Sequence, residues 1–271
     1  MASWKLEGSG KLTFDRVDRV DRVVVGTVEG AVSVVGTDGE PTLEVLELAG
    51  SPLRVRHEDG VLTVDYERPP RSGLLSWLSE WGRRYRAVLS LAVPRDCRVE
   101  LRVISASLMV SGLRAPVRAR TVSGEITLAG LGGSADAETI SGSIEASGVS
   151  GDLSAGTVSG DLTVAEGGGS VRAHTVSGAI ALDLEASGDR DIQLSSVSGD
   201  LTVRLPGASD IQVMLQSTSG QVASAFNELA LDQTPGRHAA EGRLGAGTGR
   251  LRATSTSGHV ALLRRAPETQ A

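Results

Sequence analysis

The sequence predicts an all-β fold, namely a parallel β-helix (β-solenoid) with rungs of about 18 to 21 residues and an N-terminal β cap. The first observation is a tetrapeptide, Thr-x-Ser-Gly, that recurs every eighteen residues from Thr121 to Gly178. The second is a two-residue period of hydrophobicity within each half of the repeat, which is typical of strands. The third is composition, since 34 glycines and 3% aromatic residues suit thin coils with tight corners.

Each repeat divides into two nonapeptides, and alternation assigns the second, fourth, sixth and eighth residues of each nonapeptide to the core. Two nonapeptides then make one rung, and stacked rungs bury a continuous interior. The first and ninth positions are polar or small, so they are predicted to form the corners. The predicted inward residues at the second position are Ile104, Val122, Ile140, Val158 and Val176.

The repeat lengthens after Asp183. Copies of the tetrapeptide begin at Ser196 and Ser217, 21 residues apart, and a last copy begins at Ser255. The related strands that begin at Asp191 and Asp210 are predicted to lie on successive rungs. Residues 224–249 are predicted to be a lateral insertion, which precedes a final rung at 251–263.

The same patterns predict three parts in the chain. Residues 1–93 form an N-terminal β-rich cap and the first rungs, with Asp-Gly turn signals at 38–39 and 59–60 and an amphipathic insertion at 71–86. Residues 94–263 form the β-solenoid, and residues 264–271 form a polar tail. The cap would cover the strand edges that an open solenoid end exposes.

The insertion at 71–86 places apolar residues on one helical face and follows them with a basic cluster. This arrangement is typical of a short amphipathic helix that binds a membrane surface or a protein partner. A helix that packs on the flank of the solenoid, or an ordinary loop, would account for the same pattern. The candidate docking residues are Leu74, Leu75, Trp77, Leu78, Trp81, Arg83, Arg84 and Arg86.

The Thr-x-Ser-Gly tetrapeptides are predicted to present an outward hydroxyl ladder. Stacked hydroxyl rows of this kind can order water or contact a polysaccharide. Alternatively, threonine and serine simply suit a solvated strand and form hydrogen bonds along the stack. The candidate ladder residues are Thr121, Ser123, Thr139, Ser141, Thr157, Ser159, Thr175 and Ser177.

No catalytic, cofactor-binding or metal-binding residue is predicted. The single cysteine, Cys97, excludes an internal disulfide and a cysteine zinc cluster, and the four histidines lack the spacing of a metal site. The glycines at 167–169 are not followed by the Lys-Ser/Thr of a phosphate loop. A glycosidase on this scaffold would need acids repeated across rungs, whereas the row that contains Glu125 and Asp161 does not repeat an acid.

Charge and hydropathy limit partners and location. A net charge of −6 does not favour nucleic-acid binding. The N-terminal residues lack the pattern of a secretory signal, and no stretch approaches eighteen uncharged apolar residues. The expectation is a cytoplasmic protein, peripheral to the membrane if the 71–86 segment docks there.

The repeats carry a family resemblance. Ser-Gly-Asp-Leu-Thr-Val occurs at 159–164 and 198–203, after a leader with Gly-Ala-Val-Ser-Val at 30–34. These motifs resemble the bacterial putative-adhesin family, a β-strand-repeat domain of unknown function, over residues 23–263. The resemblance implies a right-handed β-solenoid without established catalytic residues, often linked to the cell envelope.

The preferred functional interpretation is a non-catalytic, adhesin-like binding or scaffold protein whose partner is a protein, a glycan or a membrane surface. The first alternative is a self-assembling structural protein that resembles the bactofilins, in which terminal rungs stack end to end. That alternative requires an exposed last rung at Val260 and Leu262. The second alternative is a glycan-active β-helix enzyme, which would need an acidic cluster that the sequence does not display.

Overall fold

The fold is all-β, as predicted. The computed structural model describes residues 2–14, 19–67, 85–184, 189–234 and 236–265, and within those ranges the regular elements are strands and not helices. No helix in the described part of the chain has the length and apolar composition needed to cross a bilayer. The chain divides into two compact units, Met1–Gly133 and Ser134–Ala271.

Unit 1 has ten strands within its described residues, and two of them are long. Both long strands, β3 and β8, run through two successive half-rungs. The strands are β1 (Ala2–Leu6), β2 (Gly10–Thr13), β3 (Arg22–Thr37), β4 (Thr42–Ala49), β5 (Leu53–Glu58), β6 (Val61–Tyr66), β7 (Arg86–Pro94), β8 (Arg98–Ser111), β9 (Val117–Arg120) and β10 (Ile126–Ala129).

Parallel pairing forms the centre of unit 1, and antiparallel strands extend it. Strand β3 pairs in parallel with β8 on one edge, with Arg22 opposite Arg98. On its other edge β3 pairs in parallel with β6 and β7, and β8 continues in parallel to β9 and β10. Strand β5 pairs antiparallel with β6 and β1 antiparallel with β5, while β4 pairs antiparallel with β7 and β2 antiparallel with β4. The irregular N-terminal sequence therefore builds an antiparallel extension on a parallel centre.

Two tyrosines pack together where β6 ends and β7 begins. The rings of Tyr66 and Tyr85 are buried and lie edge to face, with centroids 5.1 Å apart. Burial raises the pKa of the Tyr66 phenol to about 12. Because these tyrosines flank residues 68–84 in the chain, the ends of the described structure on either side of that segment are held together.

Unit 2 is built mainly from strands of four or five residues. Its strands are β11 (Ala135–Glu138), β12 (Ile144–Ser147), β13 (Leu153–Gly156), β14 (Leu162–Ala165), β15 (Val171–Thr175), β16 (Ile180–Asp183), β17 (Asp191–Ser196), β18 (Leu201–Leu205), β19 (Ile211–Ser217), β20 (Val222–Ser224), β21 (Ala230–Thr234), β22 (Arg237–Leu244), β23 (Gly249–Ser255) and β24 (Val260–Arg264).

The rungs of unit 2 stack in register. Strands β11, β13, β15 and β17 pair in parallel to form one face, and β12, β14, β16 and β18 form the other. Leu153 lies opposite Val171, eighteen residues later, and both side chains are buried. The predicted β-solenoid with two strands per rung is confirmed.

The C-terminal rung is not the outermost rung of unit 2. Strand β23 pairs in parallel with both β17 and β19, and β24 pairs with both β18 and β20. The prediction that the strands beginning at Asp191 and Asp210 occupy successive rungs is therefore wrong, because the C-terminal rung lies between them. Val260 and Leu262 are 1% and 0% exposed, so they do not form the open face that end-to-end stacking would need.

Residues 224–249, predicted as an insertion, contain the antiparallel hairpin of β21 and β22. Strand β22 pairs antiparallel with β19 and so continues the sheet beyond the outermost parallel strand. Phe226 and Leu229 are buried before the hairpin, and the guanidinium of Arg264 lies 4.8 Å from the centroid of the Phe226 ring. The segment thus covers an edge that would otherwise be free to pair.

Candidate functional site

Most of the candidate docking residues lie outside the described part of the chain. This holds for Leu74, Leu75, Trp77, Leu78, Trp81, Arg83 and Arg84. The exception is Arg86, which begins β7 and donates a hydrogen bond from Nε to Glu47 Oε1 at 3.0 Å. Arg86 is therefore already paired with an acid on β4.

The prediction of an outward hydroxyl ladder is correct for the serines and wrong for the threonines. The four serines are exposed as predicted, but the four threonines point inward and are only 3–6% exposed. The buried residues are Thr121, Thr139, Thr157 and Thr175, and the exposed residues are Ser123, Ser141, Ser159 and Ser177. A ligand on this surface would meet the serines and not the threonines.

Buried threonines hold the corner by hydrogen bonding. The hydroxyl of Thr157 accepts from the Gly160 amide at 3.1 Å and donates to the Gly142 carbonyl of the neighbouring rung at 3.1 Å. Serine does the same where it replaces threonine, since Ser217 accepts from the Gly220 amide and donates to the Gly258 carbonyl. The inward hydroxyl satisfies backbone groups that the bend leaves unpaired.

The second position of the tetrapeptide faces solvent, contrary to the predicted core. Ile104, Val122, Ile140, Val158 and Val176 are 44–52% exposed. Alternation fails because two consecutive residues, such as Val158 and Ser159, both face outward at the bend, which places the corner inside the tetrapeptide. Alternation resumes at Gly160, and the fourth, sixth and eighth positions are inward as predicted.

The exposed serine hydroxyls also have partners within the fold. Ser159 donates to the Ile140 carbonyl at 3.3 Å, Ser177 to the Val158 carbonyl at 3.3 Å, and Ser198 to the Val176 carbonyl at 3.1 Å. Each bond joins one rung to the preceding one. The ladder therefore has a structural role, and its hydroxyls are oriented by the fold.

A different surface carries uncompensated charge, namely the outward face of β15, β17, β23, β19 and β22 in unit 2, called the arginine face below. Its arginines are Arg172, Arg243, Arg250 and Arg252, and all four are exposed. Two rows cross the strands in register. They run Arg172–Gln193–Arg252–Met214–Glu241 and Asp191–Arg250–Gln212–Arg243.

The four arginines have no acidic partner among the described residues, unlike many arginines elsewhere in those ranges. Elsewhere Arg56 pairs with Asp65, Arg95 with Asp38, and Arg22 and Arg102 with Glu100, among others. Within the described ranges, by contrast, the side chains of Arg172, Arg243, Arg250 and Arg252 make neither an ion pair nor a hydrogen bond. Their charges are therefore available to a ligand.

Acids border the arginine face, and the fold engages some of them. Asp191 Oδ2 accepts from Gln193 Nε2 at 2.8 Å, which fixes the Gln193 amide and leaves its oxygen free to accept. Glu241 pairs with Arg237 at 3.4 Å, and Asp210 accepts from the Ala246 amide at 2.7 Å. Asp189 lies at the rim beside Arg190 and carries no such bond within the described residues.

The arginine face carries one histidine on its outward side, His174. His174 lies in register with Gly156, and a Cβ added at Gly156 would collide with the imidazole ring, so the glycine leaves room for it. Ser195 and Thr254 follow His174 across the next two strands. The described residues include no group of three or more His, Cys, Asp or Glu placed to hold a metal ion.

Sequence reasoning missed the arginine face. The available signal was Arg-x-Arg at 250–252 and Arg-x-His at 172–174, in strands whose alternate residues are apolar. Outward orientation followed from that pattern. The pattern does not predict that Arg172 and Arg252 lie close together, because they do so only when β23 inserts between β17 and β19.

A family profile described as Toastrack DUF4097 matches residues 98–263, which is more than half of the chain. This match confirms the resemblance predicted from the repeats. No curated protein matches the chain significantly.

Among solved structures, the chain is similar to a putative adhesin from Bacteroides fragilis, with 11% identity, coverage of 97% of each chain and a TM-score of 0.49. It is similar to a putative lipid binding protein from Parabacteroides distasonis, with 10% identity, coverage of 96% of this chain and 98% of the other, and a TM-score of 0.39. A putative adhesin from the same species has 12% identity, 97% coverage of each chain and a TM-score of 0.38.

Proposed function

The chain belongs to the Toastrack DUF4097 family, and on that premise we propose that it is a non-catalytic binding protein that holds an extended anionic partner on the arginine face. The single observation that supports this function is the set of four exposed arginines without acidic partners among the described residues. They lie on one sheet face of a chain whose net charge is −6. A local excess of positive charge on an acidic protein attracts anions to that face and away from the rest of the surface.

The other candidate surfaces are less suited to bind a partner. The buried threonines and the serine hydroxyls are engaged in holding successive rungs together. The exposed valine and isoleucine residues of the corners offer only a narrow apolar strip, with one side chain at each corner. A bactofilin-like polymer would need an open terminal rung, whereas β22 pairs antiparallel with β19, the outermost parallel strand, and so covers its edge.

The proposal is tested by retention on a sulfonated cation-exchange resin at neutral pH and low ionic strength. An acidic protein should flow through such a resin, but the arginine face should retain the intact chain until salt is raised. The double variant R250Q/R252Q should elute markedly earlier. The matched control is R54Q/R56Q, which changes net charge equally but removes arginines that already pair with Glu67 and Asp65.

Equal elution of both double variants would show that overall charge and not the arginine face governs retention. Flow-through of the intact chain would contradict the proposal directly.

A further inference from the structure

The side chains between the arginines narrow the class of anion. We infer that the ligand of the arginine face is an acidic polysaccharide, that is, a linear glycan that carries carboxylate or sulfate groups. This inference rests on the proposed function and specifies its partner.

The spacing of the arginines suits charges that are separated along a chain. Arg172 and Arg252 are two strands apart, as are Arg250 and Arg243, and two strand spacings amount to about 10 Å. Each guanidinium presents a planar fork of donors that binds a carboxylate or sulfate through two hydrogen bonds. The face therefore offers several anion contacts at intervals, three of them along an open groove that Arg243, Arg250 and Arg252 line together.

Neutral polar groups fill those intervals. Gln193 lies between Arg172 and Arg252, and Gln212 lies between Arg250 and Arg243. Amide side chains both donate and accept hydrogen bonds, as sugar hydroxyls do. Ser195 and Thr254 add hydroxyl groups in the adjacent row. An alternation of guanidinium and amide groups matches a polymer in which acidic groups alternate with hydroxyls.

The same surface is poorly suited to the other common polyanions. Its outward positions on β15, β17, β19, β22 and β23 carry no Trp, Tyr or Phe on which nucleobases could stack. Met214 is the large apolar side chain of the two rows, and it is 36% exposed, so the face offers little area to insert into a lipid interface. Binding through separated ion pairs and hydrogen bonds, without stacking or insertion, is what an acidic glycan requires.

The experiment is a binding titration of the full chain at low ionic strength with polygalacturonate and with heparin. Neutral dextran, phosphatidylglycerol vesicles and single-stranded oligothymidylate are the comparison probes. We expect one of the acidic polysaccharides to bind at least about tenfold more tightly than every comparison probe. The variant R250Q/R252Q should lose at least about tenfold of that affinity.

A second variant separates this inference from the proposed function. Q193A/Q212A removes the amides without changing charge, so it should weaken polysaccharide binding several-fold while retention on the sulfonated resin stays unchanged. The control Thr163→Ala/Thr202→Ala, on the opposite sheet face of unit 2, should alter neither readout.

Binding of vesicles or of oligothymidylate that is tighter than polysaccharide binding and that is weakened in R250Q/R252Q would overturn the glycan inference and leave an anion-binding arginine face. Unchanged polysaccharide affinity in Q193A/Q212A would also contradict it. Failure of the resin and of every anionic probe would overturn the inference and the proposed function together.

Discussion

Threonine, serine and glycine each have their own physical role in the Thr-x-Ser-Gly corner. The inward hydroxyl of Thr157 bonds to two backbone groups, and the outward hydroxyl of Ser159 bonds to the preceding rung. Gly160 brings its Cα against the carbonyl of Gly142, where no side chain fits. The recurrence of the motif therefore reflects the geometry of the bend and not the chemistry of a ligand.

Gly160→Ala should strongly destabilise unit 2. An added Cβ would penetrate the carbonyl of Gly142, so the two rungs would have to separate. Urea unfolding should give a loss in the free energy of unfolding of at least about 3 kcal/mol. The control is Gly167→Ala, whose Cβ would lie 3.9 Å from its nearest neighbour, Val164 Cγ1. Similar losses in both variants would contradict the steric explanation.

Thr157→Val should leave the Gly160 amide and the Gly142 carbonyl without their buried partner. We expect the free energy of unfolding to fall by about 1–3 kcal/mol. Thr157→Ser keeps the hydroxyl and should cost only the buried methyl, about 0.8 kcal/mol. Ser217 and Ser255 already perform this role in other rungs. If the serine variant lost as much stability as the valine variant, the hydrogen bonds would not be the cause.

Glu100 should make stability depend on pH in the acid range. Arg22, assisted by Arg102, holds the pKa of the nearly buried Glu100 carboxyl below its ordinary 4.5. A folded-state pKa below the unfolded value means that the carboxylate stabilises the fold above about pH 4.5. This stabilisation is lost as the pH falls through the folded-state value. Glu100→Gln should therefore be less stable at pH 7, and the difference should shrink on acidification.

Urea unfolding of Glu100→Gln at neutral pH and at about pH 3 measures the effect. Glu145→Gln, a change at an exposed acid without an ion pair among the described residues, is the control. A constant difference between Glu100→Gln and the intact chain at both pH values would exclude the linkage.

Residue orientation was predictable from alternation wherever the strand is straight. Leu162 and Val164 are inward as predicted, whereas Val158 is outward because the bend places two consecutive residues on the same side. Period-two reasoning assumes an extended backbone, so it fails at the corners.

At the scale of elements, the C-terminal rung should be among the better protected parts of unit 2. Strands β23 and β24 each pair on both edges although they lie near the end of the chain. Their amides should exchange with deuterium as slowly as those of β17 and β18, and much more slowly than those of the exposed β21. Hydrogen-exchange mass spectrometry compares the three regions directly. Rapid exchange across residues 249–264 would contradict the observed strand order.

The insertion at 71–86 remains a predicted membrane-docking element. Trp77→Ala/Trp81→Ala should abolish flotation of the protein with anionic liposomes, because the apolar face would lose its two largest residues. Met109→Ala, at an exposed site in β8, is the control. Equal flotation of the intact chain and the tryptophan variant would remove this role from the segment.

The eighteen-residue repeat predicts that rungs exist and how long they are, but it does not predict the order in which they stack. All Thr/Ser-x-Ser-Gly copies present similar edges, so the sequence contains no signal that β23 and not β19 follows β17. The arginine face depends on the stacking order of the rungs, so it could not be predicted from the sequence either.

At the scale of the whole molecule, charge is distributed unevenly. The chain carries a net charge of −6, yet four arginines without acidic partners among the described residues cluster on one sheet face of unit 2, while Arg54 and Arg56 of β5 and Arg102 of β8 in unit 1 pair with acids. Membership of the Toastrack DUF4097 family accounts for the repeating scaffold. Binding specificity on such a scaffold depends on outward residues that the repeat leaves unconstrained.

The position of the C-terminal rung also has a consequence during translation. The ribosome releases β19 and β20 before β23 and β24, so a nascent chain that has reached residue 248 lacks the rung that will separate its neighbours. Its newest tetrapeptide, at Ser217, can then pair with the one at Ser196, which has the same pattern. Emergence of β23 and β24 has to displace any such provisional pairing, so the final strand order of unit 2 is reached only after residues 249–264 have left the exit tunnel.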